Sequence, residues 1–163
     1  MSDVWKFDGT NWTWMHGWVS EVSPFVTGSE SGAFHPDNTP GSRTGAFVWV
    51  DDQGDAWLFG GFGRDYSGQG YFSDLWKFNG HQWAWVHGLS FTEHSPRDMI
   101  GVWGTKGISS DVNKPSGRYF GAAWRDADGN FRLFGGIGRD IDATEGVLSD
   151  LWRFVPPAVA DVD

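Results

Sequence analysis

Residues Ala56–Phe78, AWLFGGFGRDYSGQGYFSDLWKF, carry the pattern that decides the fold. The stretch reads as a short apolar strand, a double glycine, a polar loop, and a second apolar strand ending in Trp-Lys-Phe. It returns as Phe131–Phe154, FRLFGGIGRDIDATEGVLSDLWRF, and its last part opens the chain as Ser2–Phe7, SDVWKF. A unit that recurs at this scale marks repeat architecture.

Working outward, the first two of the three copies of the second strand lead into a hairpin. Ser2–Phe7 turns at Asp8-Gly9-Thr10-Asn11 into Trp12–Met15, and Ser73–Phe78 turns at Asn79-Gly80 into Trp83–Val86. Asp-Gly and Asn-Gly between apolar runs are strong hairpin signals. A different hairpin precedes each double glycine. Arg43–Val50 leads through Asp51–Gly54 into Asp55–Gly61, and Arg118–Arg125 leads through Asp126–Gly129 into Asn130–Gly136. These copies align without a gap from Arg43/Arg118 to Asp65/Asp140, and the later copy carries one extra loop residue before Ser73/Ser149.

Four strands are therefore expected per unit: a (Arg43–Val50), b (Asp55–Phe59), c (Asp74–Phe78) and d (Trp83–Val86). The order along the chain is c d, a b c d, a b c. Residues 2–17, 43–88 and 118–154 form the units within 1–155, and 156–163 form a tail in which Pro156 and Pro157 stop strand pairing. On this reading the chain begins and ends inside a unit. The segments Trp18–Ser42 and Leu89–Gly117 read as long irregular d–a connections, and Phe62–Phe72 and Ile137–Leu148 as b–c loops.

The composition agrees with a β reading. Of 163 residues 39% are hydrophobic and 24 are Gly, and 12 Trp and 13 Phe make up most of the aromatics. Aromatic residues suit pleated, half-buried surfaces, and glycine suits many tight turns. The formal charge of −9 argues against nucleic acid as a partner. No apolar run reaches the ~18 residues of a membrane helix. There is no cysteine, which removes thiol catalysis, disulfides and thiolate metal sites but does not fix a compartment. The start, MSDVWKFDG, lacks the basic and apolar regions of a signal peptide.

The repeated order of Arg, hairpin, Leu-Phe-Gly-Gly, polar loop, Ser-Asp-Leu-Trp and Trp strand resembles a kelch repeat. It is more similar still to the kelch-type blades of the galactose-oxidase central domain. The resemblance rests on Arg43, Gly60, Gly61, Trp76 and Trp83 in one copy and Arg118, Gly135, Gly136 and Trp152 in the other. It covers the chain apart from the long connections and the tail. It implies an all-β fold of four-stranded antiparallel propeller blades, about two per chain. Two features depart from the family: the period is longer than a typical kelch repeat, and two blades fall short of the usual six or seven. Copper-radical chemistry does not carry over, because it needs a crosslinking cysteine.

Two blades leave sheet faces uncovered, so head-to-tail self-association is expected to close a ring. Three chains would give six blades and four would give eight. A homotrimer is the expected form. Asp3–Phe7 and Asp150–Phe154 then compete for the same c position, unless the chain is an excerpt of a longer repeat protein.

No residue set assembles into a reaction centre, so the chain is expected to be a non-enzymatic scaffold or protein-interaction module without cofactor. A lectin-like, glycan-binding propeller is the alternative. Binding residues favour variable loops on a rigid scaffold, so the long-loop side is where a ligand is expected. Arg64, Asp65, Arg139 and Asp140 form either a binding rim there or structural turns. Trp18, Trp103 and Asp111 lie on the d–a connections. The strand tryptophans read as core rings rather than sugar platforms, because they recur at equivalent positions. His16 and His87 close the c–d hairpins, and neither has a partner set suited to a metal. Asp126–Asn130 is partly like a calcium loop but reads as a hairpin turn.

Overall fold

The computed structural model describes residues 3–17, 30–64, 68–88 and 100–157. The protein is all-β, built from antiparallel sheets, and no helix occurs among the described residues. The strands are β1 (Asp3–Phe7), β2 (Trp12–Gly17), β3 (Phe34–His35), β4 (Arg43–Thr44), β5 (Phe47–Val50), β6 (Ala56–Phe59) and β7 (Phe62–Arg64). They continue as β8 (Gln69–Tyr71), β9 (Leu75–Phe78), β10 (Trp83–His87), β11 (Arg118–Tyr119), β12 (Ala122–Arg125), β13 (Phe131–Arg139) and β14 (Glu145–Phe154).

The central sheet runs β5-β6-β9-β10-β3. Its first four strands are a, b, c and d in that order, with β3 from the preceding connection added along β10. In the C-terminal sheet β13 pairs with β11 and β12 on one side and β14 on the other, giving a, b and c with no d among the described residues. β1 and β2 form a hairpin of their own, and β4-β7-β8 form a small sheet.

Three expectations are corrected. Strand a is not continuous: it breaks between β4 and β5, and again between β11 and β12. Gly45 has φ 65° and its repeat counterpart Phe120 has φ 55°. The Phe120 amide donates to the Gly45 carbonyl and its ring lies over Gly45, so the two breaks lock onto each other. The b–c connections are largely paired rather than looped. β7 and β8 lie inside Phe62–Phe72, and β13 and β14 pair from Arg139↔Glu145 to Phe131↔Phe154 across a bulge at Phe134/Gly136. The d–a connections also pair, through β3 and through a bridge between Val102 and Lys114.

Alternation along the strands sends rings to both faces of the central sheet. Phe47, Trp49, Trp57, Phe59 and Leu75 face the C-terminal sheet and form one core with its Phe131 and Leu133. Trp49 stacks on Phe131 at 5.3 Å, and its indole N–H reaches the Arg132 carbonyl at 3.0 Å. Trp76, Phe78 and Trp83 occupy the opposite face and pack against Val4 and Met15 of the hairpin. Each ring so buried contributes roughly 2–3 kcal/mol.

A main-chain seam joins the central and C-terminal units. The Gly61 amide donates to Arg118 O (2.8 Å), the Arg118 amide to Phe72 O (3.3 Å), and the Phe72 amide to Gly61 O (2.8 Å). Gly60 permits this approach. With φ 66°, any Cβ there would sit 2.7 Å from the Arg118 carbonyl oxygen. Gly121, just before β12, likewise makes room for a ring. A Cβ on Gly121 would lie 2.6 Å from the Phe47 ring.

Candidate interaction faces

The recurring polar feature is a clamp of Arg, Asp and Trp. Arg43, at the start of strand a, donates both terminal nitrogens to Asp74, at 2.5 and 2.8 Å. It also bonds the carbonyls of Gly60 and Pro40 and lies 4.1 Å over the Phe72 ring. The Trp76 indole donates to the same Asp74 carboxylate at 2.7 Å. Arg118 repeats the arrangement on Asp150 at 2.5 and 2.8 Å, with Trp152 donating at 2.6 Å. Both guanidiniums are buried, and bidentate pairing is how a planar fork tolerates burial. The Asp150 carboxyl would be raised by burial, but the bonds from Arg118 and Trp152 outweigh that and hold it below its ordinary range.

The clamps differ in how well they are closed. Asp74 is fully buried, whereas the Asp150 side chain remains 21% exposed. Strand d flanks c in the central sheet, but no described residues take its place in the C-terminal one. Trp103 partly fills that side: its indole donates to Asp150 at 3.2 Å and its ring lies 6.1 Å from Trp152. A third Asp-Trp pair opens the chain, where the Trp5 indole donates to Asp3 at 2.7 Å. No ion pair involves Asp3 among the described residues.

The a–b turns are polar hubs. Asp51 accepts the amides of Gln53 and Asp55 and the indole of Trp57, and Lys77 approaches it at 3.1 Å. Burial acts to raise its carboxyl, and the bonds from Trp57 and Lys77 prevail and lower it. Asp126 does the same for Asp128, Asn130 and Arg132. Its oxygens thus serve the hairpin turn.

Among the residues expected on the long-loop side, Arg64 is exposed at the end of β7. Its counterpart Arg139 bonds the Ala143 carbonyl at 3.1 Å and lies 3.9 Å from Glu145. Asp140 accepts the amides of Asp142 and Thr144, as a turn residue does. Asp111 accepts the neighbouring Ser110 hydroxyl. Tyr71 clusters with Phe62 and Tyr119, and burial followed by the bond to Glu145 pushes its hydroxyl up. Asp65 and Trp18 lie outside the described residues. Arg64 and Arg139 therefore sit at equivalent strand ends, while Trp103 packs on the Asp150–Trp152 clamp.

His16 lies edge-on to Phe78 at 6.0 Å, and burial pushes its imidazole down against a backbone bond at Pro36. It lines a hollow with Trp14, Met15, Gly17 and Pro36. Among the described residues, no three His, Asp or Glu side chains converge as a metal-ligand set.

Both end faces expose large apolar side chains. On the C-terminal sheet Trp124, Phe134 and Leu151 are 44%, 45% and 57% exposed, while their repeat counterparts Trp49, Phe59 and Leu75 are 7%, 6% and 8% exposed. On the hairpin Trp5, Phe7 and Trp12 are 52%, 51% and 67% exposed, against 0%, 6% and 6% for Trp76, Phe78 and Trp83. The carboxylates of the clamps escaped the sequence reading, although Asp stood in every copy of the Ser-Asp-Xaa-Trp motif. No family model and no curated protein matches this chain.

Proposed function

We propose that the chain is a non-enzymatic, self-associating module of two kelch-type propeller blades that builds a closed ring. Six blades from three chains are the preferred form. The ring serves as a scaffold whose b–c and d–a connections face a protein partner. The pairing of exposed and buried rings at equivalent positions carries this reading. Each end face has the composition of a surface that is core one repeat away, and apolar patches of that kind mark interaction sites. The faces differ from one another, so the contact is head-to-tail, and head-to-tail contacts close into rings. In such a ring Arg64 and Arg139 recur around the long-loop side, an arrangement that suits multivalent binding.

Light scattering on size-fractionated protein tests the assembly. The expected mass is three times the 18.1 kDa of one chain. A monomer or dimer persisting at high micromolar concentration would overturn it.

A further inference from the structure

We infer that the β1–β2 hairpin of a second copy enters the C-terminal sheet beside β13, seats its Asp3 on Arg118, and displaces Asp150–Phe154. The inference rests on the self-association proposed above and names the surfaces that meet.

Three observations bear on it independently. The first is the clamp. Asp74 holds one arginine and the indole of Trp76, and Asp150 holds one arginine and the indoles of Trp152 and Trp103, while Asp3 holds only the indole of Trp5 among the described residues. Asp3 is thus shaped like the other two acceptors and is short of one guanidinium. Arg118 is the arginine one repeat beyond Arg43, and the carboxylate now on it is the less well buried.

The second is an asparagine that falls one bond short of its counterpart. Asn38 donates its amide to the carbonyls of Ala33 (3.1 Å) and Trp83 (2.9 Å), tying the d–a connection to strand d. Asn113 takes its place in the next repeat and donates to Ile108, the counterpart of Ala33, at 3.1 Å. No bond from it to a d strand is present among the described residues. The residue equivalent to Trp83 in the hairpin is Trp12, so the hairpin brings the matching carbonyl.

The third is the choice between the two c strands. β14 supplies c alone, and no strand of the described residues lies along its outer edge. The hairpin supplies c and d already paired, from Asp3↔Gly17 to Phe7↔Trp12. Trp5 and Phe7 replace Trp152 and Phe154 ring for ring, because both pairs match Trp76 and Phe78. The exchange therefore keeps the core between the sheets and adds a strand ladder and the second bond to Asn113. Trp103 gives up its place beside Trp152.

The register predicts a crosslink. Trp57 lies opposite Lys77 in the central sheet, so Arg132 of one copy should lie opposite Lys6 of the next. At present Arg132 faces Arg153 of its own chain. Because the chain has no cysteine, Lys6→Cys and Arg132→Cys can be made in separate chains, mixed, and oxidised. A covalent pair that requires both variants is expected. Asp3→Asn should raise the concentration for half-assembly at least tenfold, and Asp150→Asn should leave it unchanged or lower it. An assembly that forms without the Lys6–Arg132 crosslink overturns the inference while leaving self-association standing. So does an Asp150→Asn variant, folded by circular dichroism, that weakens assembly as much as Asp3→Asn. A wild-type chain that stays monomeric overturns both.

Discussion

Replacing Asp74 by Asn tests whether the Arg–Asp–Trp clamp holds the central sheet together. The Arg43 side chain is 4% exposed and Asp74 is 0% exposed, so the substitution leaves a guanidinium buried without its counter-charge. What remains around it is two carbonyls and the Phe72 ring, and the Arg43 Nε already lacks a partner among the described residues. Removing one member of a buried ion pair costs about 3–5 kcal/mol. For a chain of this size that lowers Tm by roughly 6–20 °C. Urea unfolding followed by tryptophan fluorescence, with thermal melts alongside, measures the loss. Asp3→Asn is the matched control. That carboxylate is exposed and holds one indole, so a change within about 0.5 kcal/mol is expected in the monomer. Arg43→Met with Asp74→Leu removes both charges and should recover much of the loss, since apolar replacement of a buried pair is often close to neutral. An Asp74→Asn variant within about 1 kcal/mol of wild type would refute the reasoning. The clamp would then be a surface pair in energetic terms.

Equivalent tryptophans should behave differently. Trp49→Ala should cost about 3–5 kcal/mol, whereas Trp124→Ala should cost under about 1 kcal/mol in the monomer and act on assembly instead, as urea titrations below and above the assembly concentration would show. Gly60→Ala should destabilise by about 1–3 kcal/mol, because it imposes a left-handed alanine and places a Cβ against the Arg118 carbonyl. A melt at the wild-type midpoint would count against the seam. The folded-state values of Asp51 and Asp150 are lowered, so the stability they contribute is present above the unfolded carboxylate value of about 3.9 and is lost as pH falls through the lower folded values. Urea midpoints should drop below about pH 4, and Asp51→Asn should flatten that dependence.

Strand chemistry was legible in the sequence because each signal was local. Asn79-Gly80 and Asp8-Gly9 name their own turns, and alternating rings such as Trp57/Phe59 and Trp76/Phe78 name their own faces. The all-β class and the a-b-c-d order of the central sheet follow from those. The break in strand a was not legible, because it depends on Phe120 meeting Gly45 from the neighbouring repeat. The pairing inside the b–c connections was hidden by their polar residues, whose ladders are made by backbone alone. Among the candidate site residues, Arg64 and Arg139 fall within stretches that read as b–c loops, and they stand at matching strand ends. Trp103 falls among the ligand-face candidates because nothing in its flanking sequence points to Asp150 and Trp152. The clamp acid was on view in each Ser-Asp-Xaa-Trp copy, yet its role needs an arginine from the far end of the same unit, two strands upstream.

The seam through Gly61, Arg118 and Phe72 has a consequence for how such a chain changes over time. It is made of amides and carbonyls, which every residue other than proline carries. Side chains on either side can therefore drift without moving one sheet against the next. The two copies in this chain already illustrate that latitude. Ala56 corresponds to Phe131 and Trp57 to Arg132, while the glycine pairs and the clamp arginines stand unchanged. Divergence after duplication is thus open at the side chains flanking this seam, whereas the clamp residues, the core rings and the glycines that let one backbone pass close to another stay constrained.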